Sequence, residues 1–336
     1  MKALITGGAG FIGSHLSEYL LARGDTVTVL DDLSTGRLGN LSRVLDNPAL
    51  SFHQGSILDA DLVRRLAADA DVVFHLAAAL GVYTILEDPL GSLKTNLVGT
   101  EVVLDAAREA RCRILVASTS EIYGKNTTIG LAEDDDRVMG SPLKARWSYA
   151  EAKALDETLT HLYRESGGLS AVIVRLFNTV GPRQTGRYGM VVPRFVGQAL
   201  AGEPLTVHGS GEQTRCFCHV AEVVPALVRL VEQPGAQKGV FNLGNSQQIS
   251  IGQLARTVVE VLGSTSDIVR VPYEEAYGPG YEDMQRRVPD CSRARELIGF
   301  EPSLDVEYII HSVAAAIRSE RSAAADERSD LAVLAG

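Results

Sequence analysis

The sequence of 336 residues lacks any long hydrophobic run and carries no excess of positive charge. No stretch approaches about eighteen uninterrupted apolar residues, so we expect no membrane-spanning helix. The formal net charge of −10 argues against a general attraction to nucleic acid, although a local basic pocket for phosphates stays open. The first residues, "MKALITGGAG", run straight into a predicted strand and a glycine turn. This start predicts no signal peptide and a cytoplasmic protein.

Cysteine is scarce, with four residues in the whole chain. Two of them stand in "CFCH" at 216–219, a grouping that invites a metal interpretation. The spacing is not that of a closed zinc site, and no second ligand pair follows it. We therefore expect ordinary buried thiols and no metal.

Strand and helix patterns alternate regularly in the first half of the chain. Apolar runs such as "KALIT", "TVTVLD", "DVVFHLA", "RILVAS" and "SAVIVRLFN" are separated by helical segments, of which "YAEAKALDETLTHLYRES" is one of the longest. This alternation predicts an α/β fold, a Rossmann-type doubly wound parallel sheet with helices on both faces. We assign residues 1–180 to this domain.

After about residue 180 the pattern loosens into segments rich in glycine, proline and arginine, such as "GPRQTGRYGMVVP". We expect residues 181–318 to form mainly a smaller C-terminal substrate-binding lobe, with some return to the first domain. Residues 319–336, "SERSAAADERSDLAVLAG", are small, charged and aperiodic. Such composition predicts a flexible tail.

A glycine-rich turn follows the first predicted strand. "LITGGAGFIGSHL" places Gly7, Gly10 and Gly13 where a helix begins, which allows close approach of a pyrophosphate to the helix N-terminus. Asp31 ends the next strand, where a carboxylate accepts hydrogen bonds from ribose hydroxyls and repels a 2′-phosphate. The combination predicts a dinucleotide site that prefers NAD to NADP, although Arg37 lies close by.

Two further groups of residues indicate redox chemistry on an alcohol. "YAEAK" places Tyr149 and Lys153 four apart on one helical face, where a nearby ammonium favours the phenolate that accepts a hydroxyl proton. "STSE" places Thr119, Ser120 and Glu121 where the strand "RILVA" would emerge. Ligands of open α/β sheets bind beyond these strand ends, so we expect both groups at one site.

"TGGAGFIG", "HLAA" at 75–78, "STSEIYG" at 118–124, "YAEAK" at 149–153 and "RLFNTVGPR" at 175–183 together resemble the extended short-chain dehydrogenase/reductase family. The similarity is to its nucleotide-sugar branch and covers the chain to about residue 318. It implies tightly held NAD, Tyr149 as general acid/base, Lys153 on the nicotinamide ribose, and Ser120 or Thr119 orienting a sugar hydroxyl. One departure is "HQGSIL", where Ser56 replaces the Asp that many relatives carry.

The resemblance extends to further site residues, which we take as expectations. Besides Tyr149, Lys153 and the residues already named, those expected along the cofactor are Phe11, Ile12, Ser34, Gly36, Ser56, Ile57, Leu76, Ala77, Ala78 and Asn96. Those expected on the substrate are Asn178, Arg183, Arg187, Val192, Thr206, His208, Arg215 and Arg287. The family usually forms a homodimer through two helices of each subunit, for which Val98, Val102 and Leu104 would suit either an interface or a monomer core.

Glu121 and Arg287 decide which chemistry the resemblance favours. Plain 4-epimerases commonly have a small residue in place of Glu121, whereas UDP-glucuronate decarboxylases carry Thr-Ser-Glu together with an arginine in a segment like "RRVPD". Oxidation at C4 of a glucuronosyl unit makes a β-keto acid, and the ketone is then an electron sink for loss of carbon dioxide. We therefore expect a UDP-glucuronate decarboxylase giving UDP-xylose or the 4-keto pentose. A UDP-glucuronate or UDP-glucose 4-epimerase, a nucleotide-sugar 4,6-dehydratase and a non-catalytic NAD-binding regulator stay as alternatives.

Overall fold

The computed structural model describes residues 1–79, 88–186, 190–278, 282 and 284–334, and the side chains of these residues apart from 145 and 323–334. The predicted alternation of strands and helices is present through the first half of the chain. Within the described residues, no helix is long and apolar enough to cross a membrane.

Seven parallel strands form the central sheet, in the order β3-β2-β1-β4-β5-β6-β11. These strands are β1 (Lys2–Thr6), β2 (Thr26–Asp31), β3 (Leu50–Gln54), β4 (Val72–His75), β5 (Arg113–Thr119), β6 (Ala171–Leu176) and β11 (Val240–Leu243). The inner strands are buried on both faces, which is why they read as continuous apolar runs rather than as alternating patterns. The order reverses between β1 and β4, so this is the Rossmann-type sheet that the sequence predicts, and a ligand crevice is expected at that point.

Helices cover both faces of the sheet. The first-domain helices are α1 (Phe11–Ala22), α2 (Ala60–Ala67), α3 (Pro89–Ala110) and α4 (Ser148–Gly167), and α6 (Val220–Glu232) returns from the second half of the chain. α1 and α6 bury one face of the sheet, whereas α2, α3 and α4 bury the other. The second half of the chain thus contributes α6 to one face of this sheet.

A smaller lobe follows β6. Its helices are α5 (Val191–Ala201), α7 (Ile251–Leu262), α8 (Tyr273–Tyr277) and α10 (Val306–Leu334), whereas α9 (Ser292–Ile298) packs on β11 and α6 of the first domain. Its strand pairs join β7 (Thr179–Val180) with β10 (Cys218–His219), β8 (Leu205–His208) with β13 (Ile268–Val271), and β9 (Thr214–Cys216) with β12 (Gln248–Ser250). α5, α7 and α10 share a second hydrophobic core with β8.

Two further stretches considered in the sequence have a described backbone. Of the residues expected to form a flexible tail, 319–334 continue α10 as a helix through Leu334. Alanine, glutamate and arginine are good helix formers, so this composition can form a helix without an apolar periodicity. The flexibility of this end of the chain stays a prediction. Leu104, considered for a subunit interface, is fully buried in the core of the monomer, whereas Val98 on the same helix is exposed.

Candidate active site

A large cavity of about 940 Å³ lies between the carboxyl edge of the sheet and the smaller lobe. It collects residues from both halves of the chain, including the glycine turn, Glu121, Tyr149 and Arg287. Most of the residues that the sequence singles out line this one cavity, although they lie far apart in the chain. The cavity is large enough for a dinucleotide and a sugar nucleotide side by side.

The glycine turn has the shape needed to receive a pyrophosphate. Gly7 adopts a positive φ of 73°, and a Cβ on Gly13 would lie 2.2 Å from the Gly7 carbonyl oxygen. α1 starts immediately after Gly10 with no side-chain cap and no acidic residue in its first turn. Its N-terminal N–H groups and the positive end of the helix dipole therefore point into the cavity without a competing carboxylate. These features fit a dinucleotide.

Asp31 lies at the end of β2 beside this turn and is 7% exposed. Its Oδ2 accepts a hydrogen bond from the Ala9 N–H at 2.9 Å and its Oδ1 one from the Leu33 N–H at 2.9 Å. Burial raises the pKa of this carboxyl, and the two N–H donors counteract that rise. The two donors fix the carboxylate at the edge of the cleft, where adenosine ribose hydroxyls of a dinucleotide would lie.

Three of the residues predicted along the cofactor do not line the cavity. Gly36 lies against Asp31, so that a Cβ there would be 2.8 Å from Oδ1. Asn96 holds the backbone of Ala79 through hydrogen bonds of 2.7 and 3.1 Å, while the Ser56 hydroxyl accepts from the Leu58 N–H. The first two support the walls of the cleft. The remaining predicted cofactor residues line it: Gly7, Gly10, Phe11, Ile12, Gly13, Asp31, Ser34, Ile57, Leu76, Ala77, Ala78, Tyr149 and Lys153.

Tyr149 and Lys153 lie on the cavity side of α4, but their mutual arrangement differs from the one expected. The Lys153 ammonium donates a hydrogen bond of 3.0 Å to Oδ2 of Asp156, one turn further along the helix. Burial raises the pKa of the Tyr149 phenol well above its usual range, and the negative charges of Glu121 and Asp156 raise it further. In the protein alone, Lys153 therefore does not offset the cost of forming a buried phenolate. A positive charge brought by the cofactor is needed for that.

Glu121 lies between two arginines. Arg146 donates to Oε2 of Glu121 at 2.7 Å, and Arg287 approaches Oε1 at 3.7 Å. Arg287 also contacts the Ser120 hydroxyl at 3.3 Å and the Asn178 side-chain oxygen at 3.3 Å. All three contacts of Arg287 are longer than the usual N–H···O distance of about 2.9 Å, whereas the contact of Arg146 is short and charge-assisted. Arg146 therefore makes the shorter contact with Glu121, and Arg287 lies beside both Glu121 and the Ser120 hydroxyl.

The predicted substrate residues fall into two groups. Asn178, Val192, His208, Arg215 and Arg287 line the cavity, and Asn178 and His208 also bond to Cys216 and Tyr277 of the smaller lobe. Arg183 also reaches the cavity, but its guanidinium makes a two-pronged contact with Glu18 on α1 at 2.8 and 2.9 Å. Thr206 faces Gln198 on α5 instead, through hydrogen bonds of 3.0 and 3.2 Å. Arg183 and Thr206 thus connect elements of the protein, and Arg187 lies outside the described residues.

Several functional neighbours escaped the sequence analysis. Arg146 stands three residues before Tyr149, and Asp156 three residues after Lys153. Both spacings put the side chains near the reactive pair on or beside one helix, which is the signal that could have found them. His75, in the same segment as Ala77 and Ala78, is fully buried beneath the cavity and bonded to Thr6 and Thr100.

Comparison with known proteins agrees with this geometry. The family model described as GDP-mannose 4,6 dehydratase matches residues 4–313. A curated relative from Bacillus cytotoxicus, a UDP-N-acetyl-alpha-D-glucosaminuronate decarboxylase, is 42% identical over 91% of this chain and 94% of its own length. UDP-glucuronic acid decarboxylase 2 of Arabidopsis thaliana is 38% identical over 91% of this chain and 66% of its own length.

Solved structures of similar proteins share the whole architecture. A UDP-glucuronic acid 4-epimerase from Bacillus cereus, in complex with UDP-glucuronic acid and NAD, has a TM-score of 0.85 at 29% identity and covers 95% of this chain and 99% of its own. A UDP-glucose 4-epimerase from Thermotoga maritima, with UDP-glucose, has a TM-score of 0.86 at 29% identity with the same coverage. This chain therefore belongs to the GDP-mannose 4,6-dehydratase family, in the nucleotide-sugar branch of the extended short-chain dehydrogenases/reductases, and it is an enzyme with NAD as its cofactor.

Proposed function

We propose that this protein is an NAD-dependent decarboxylase of a UDP-linked hexuronic acid, with UDP-glucuronate as its substrate. The observation that carries the proposal is the Arg146–Glu121–Arg287 group beside Tyr149. A guanidinium matches a carboxylate in geometry and charge, and Arg287 lies next to Ser120, the hydroxyl expected to meet the sugar. A substrate carboxylate thus has a binding group within the reaction centre, which a neutral hexose would not need.

Each residue of the cavity has a proposed role in the reaction. NAD, when bound, accepts a hydride from C4 of the sugar and later returns it. Tyr149 takes the proton of the C4 hydroxyl, with Ser120 or Thr119 orienting that hydroxyl. Arg287 holds the C6 carboxylate and then the enolate that forms as carbon dioxide leaves, and Glu121 supports reprotonation at C5 through Ser120 or a water molecule. Tyr149 gives its proton back to the C4 oxygen when the ketone is reduced, which yields UDP-xylose.

Other residues of the cavity are proposed to bind rather than react. Lys153 contacts the nicotinamide ribose, and the uncapped start of α1 receives the pyrophosphate of NAD. Asn178 and Arg215 meet the diphosphate of the sugar nucleotide, and both line the cavity on the side of the smaller lobe. Arg215 is 7% exposed, a degree of burial at which an arginine needs anionic or carbonyl partners.

A second substrate is favoured by one specific observation. The Bacillus cytotoxicus relative, at 42% identity, is named for UDP-N-acetyl-alpha-D-glucosaminuronate, which differs from UDP-glucuronate in its substituent at C2. Decarboxylation of that sugar uses the same C4 oxidation and the same C6 carboxylate. The Arg146–Glu121–Arg287 group suits the carboxylate of both sugars. The choice between the two substrates therefore depends on the residues that face C2.

The test follows the carboxyl carbon. Purified enzyme is incubated with UDP-glucuronate labelled with ¹³C at C6, and in parallel with UDP-N-acetylglucosaminuronate, and products are followed by NMR. Release of ¹³CO₂ with a UDP-pentose supports the proposal, and turnover of the acetamido sugar alone would move it to the second substrate. Formation of UDP-galacturonate without loss of label would replace decarboxylation by 4-epimerisation. Tyr149→Phe is the matched control and should abolish turnover of either sugar by at least about a hundredfold.

We also propose a homodimer built on α3 and α4, which pack against each other in the monomer. Their outward face exposes Val98, Leu155 and Leu162, at 43%, 46% and 54%. Large apolar side chains grouped on neighbouring helices favour a subunit interface, here a four-helix bundle. The cytoplasmic location and the absence of a nucleic-acid partner stay predictions from the sequence.

A further inference from the structure

Asp156 is a fully buried carboxylate directly beneath the reactive pair on α4. Its exposure is 0%, and that of Lys153 is 2%. The two side chains are joined by the 3.0 Å hydrogen bond from Nζ to Oδ2. Burying an ion pair costs free energy because both charges lose their contact with water. The formation of α4 does not by itself need such a pair. The proposed function gives Asp156 no task, although its partner is expected to touch the cofactor.

A chain of buried hydrogen bonds leads from this carboxylate to the floor of the dinucleotide cleft. The Thr100 hydroxyl faces Asp156 and lowers the pKa of its carboxyl, against the larger effect of burial, which raises it. Thr100 is 3.0 Å from Nε2 of His75, whose Nδ1 is 2.8 Å from the Thr6 hydroxyl. Thr6 in turn lies 3.4 Å from the Ala77 N–H, in the cleft wall.

Only one direction of donation satisfies a buried carboxylate in this chain. The Ala77 N–H donates to Thr6, and the Thr6 hydroxyl donates to Nδ1 of a neutral His75. The Nε2–H of His75 then donates to Thr100, which leaves the Thr100 hydroxyl proton for Asp156. Among the described residues, Oδ1 of Asp156 is buried with no partner at hydrogen-bond distance. The opposite tautomer would turn the nearby Thr100 proton toward His75 and away from this oxygen, which makes that tautomer the less favourable one.

We propose that Asp156 is a positioning residue that holds the Lys153 ammonium in place for the nicotinamide ribose and sets the acidity of Tyr149 by balancing that ammonium. The Lys153 side chain has a flexible four-carbon stem, and the hydrogen bond to Asp156 removes most of its conformational freedom before the cofactor binds. Asp156 also keeps the phenol protonated in the protein alone, since its charge opposes that of Lys153 at the Tyr149 oxygen. This inference rests on the proposed roles of Tyr149 and Lys153.

The charged and titratable groups around Asp156 come from three elements. Those on α4 are Lys153, Glu157 and Tyr149. His75 approaches from β4 through Thr100 of α3, and Glu121 acts on the same phenol from the 3₁₀ turn after β5. Lys153 is the one cation of this set, so removing the Asp156 charge leaves its field unbalanced at Tyr149.

Asp156→Asn tests the inference because it keeps the shape of the side chain and removes its charge. The dissociation constant for NADH, read by fluorescence titration, should rise about tenfold as Lys153 loses its anchor. kcat should fall about tenfold while KM for the UDP-sugar changes by less than about threefold. The acidic limb of the pH profile of kcat should move about one unit toward lower pH, because an unbalanced ammonium favours the phenolate.

Asp105→Asn is the matched control, since Asp105 pairs with Arg108 and Tyr163 between the same two helices but away from the cavity. It should leave NADH affinity and the pH profile unchanged. Thr100→Val removes the hydroxyl between His75 and Asp156 without removing a charge. It should change NADH affinity, kcat and the acidic limb in the same directions as Asp156→Asn, but by less. This variant replaces Asp156→Asn if the latter does not fold. Unchanged NADH affinity and an unmoved acidic limb in the folded variant would overturn the inference.

The two proposals fail separately. If wild-type enzyme converts no UDP-hexuronate, the proposed function is wrong, but the NADH titration still decides whether Asp156 anchors Lys153. If the wild type is active and the variant binds NADH and titrates as the wild type does, the proposed function stands and the role of Asp156 does not.

Discussion

His75 should make the stability of the folded protein fall in mild acid. The imidazole is fully buried at the carboxyl end of β4, with a threonine hydroxyl at each nitrogen. Burial lowers its pKa to about 3, and the positive charge of Lys153 contributes to the decrease. The folded protein therefore keeps this histidine neutral at pH values where an unfolded chain protonates it.

The size of the effect follows from proton linkage. The unfolded chain binds a proton as the pH falls through about 6.5, whereas the folded protein does so only near pH 3, so stability is lost progressively between these values. Between pH 7 and pH 5 this one group removes about 2 kcal/mol from the free energy of unfolding. His15 and His208, whose pKa values burial lowers to about 4, act in the same direction and window.

The assay compares two pH values within one variant, so that the hydrogen bonds lost by substitution cancel. Urea unfolding of wild type and His75→Asn is measured at pH 7 and pH 5, and the change in the free energy of unfolding is taken for each. The variant should lose about 2 kcal/mol less than the wild type over this interval. His161→Gln removes an exposed histidine of α4 and should behave as the wild type does. Equal pH dependence in wild type and His75→Asn would refute both the neutral imidazole and the donation direction inferred through it.

Three further changes probe the cleft, the reaction centre and the interface. Gly13→Ala places a methyl group 2.2 Å from the Gly7 carbonyl oxygen, and should cost about 2 kcal/mol or more and abolish NADH binding in fluorescence titration. Arg146→Gln breaks the 2.7 Å contact with Glu121 and should lower kcat at least about tenfold, with a loss of about 1–3 kcal/mol in urea unfolding. Leu162→Glu adds a charge to the exposed apolar face of α4 and should halve the mass observed in sedimentation velocity.

Two of these changes have a matched control, and the third has an outcome that would contradict it. Arg64→Gln removes an exposed arginine of α2, and an equal loss of kcat in this variant would show that the effect of Arg146 is not specific. Leu143→Glu alters a leucine that is 94% exposed outside α3 and α4, and it should leave the mass unchanged. Normal NADH binding by Gly13→Ala would mean that the turn does not hold the pyrophosphate.

Much of this protein was readable from local patterns. Continuous apolar strands, each followed by an amphipathic or capped helix, predict a parallel doubly wound sheet because crossover chirality leaves few alternatives. The glycine turn, Asp31 at the end of β2 and the Tyr149–Lys153 spacing predict the NAD site, since each depends on residues close together in sequence. The helix at the last residues was not readable from an apolar pattern, because helix formation there depends on intrinsic propensity rather than on an apolar face.

Tertiary structure alone decided how these groups act. Arg287 meets Ser120 from 167 residues away, and Arg183 forms an ion pair with Glu18 on α1. The spacing of Asp156 from Lys153 is visible in the sequence, but its complete burial is decided by the packing of α4 against α3. The physical reason is that burial makes a charge seek the nearest donor or counter-ion, and only packing determines which group that is.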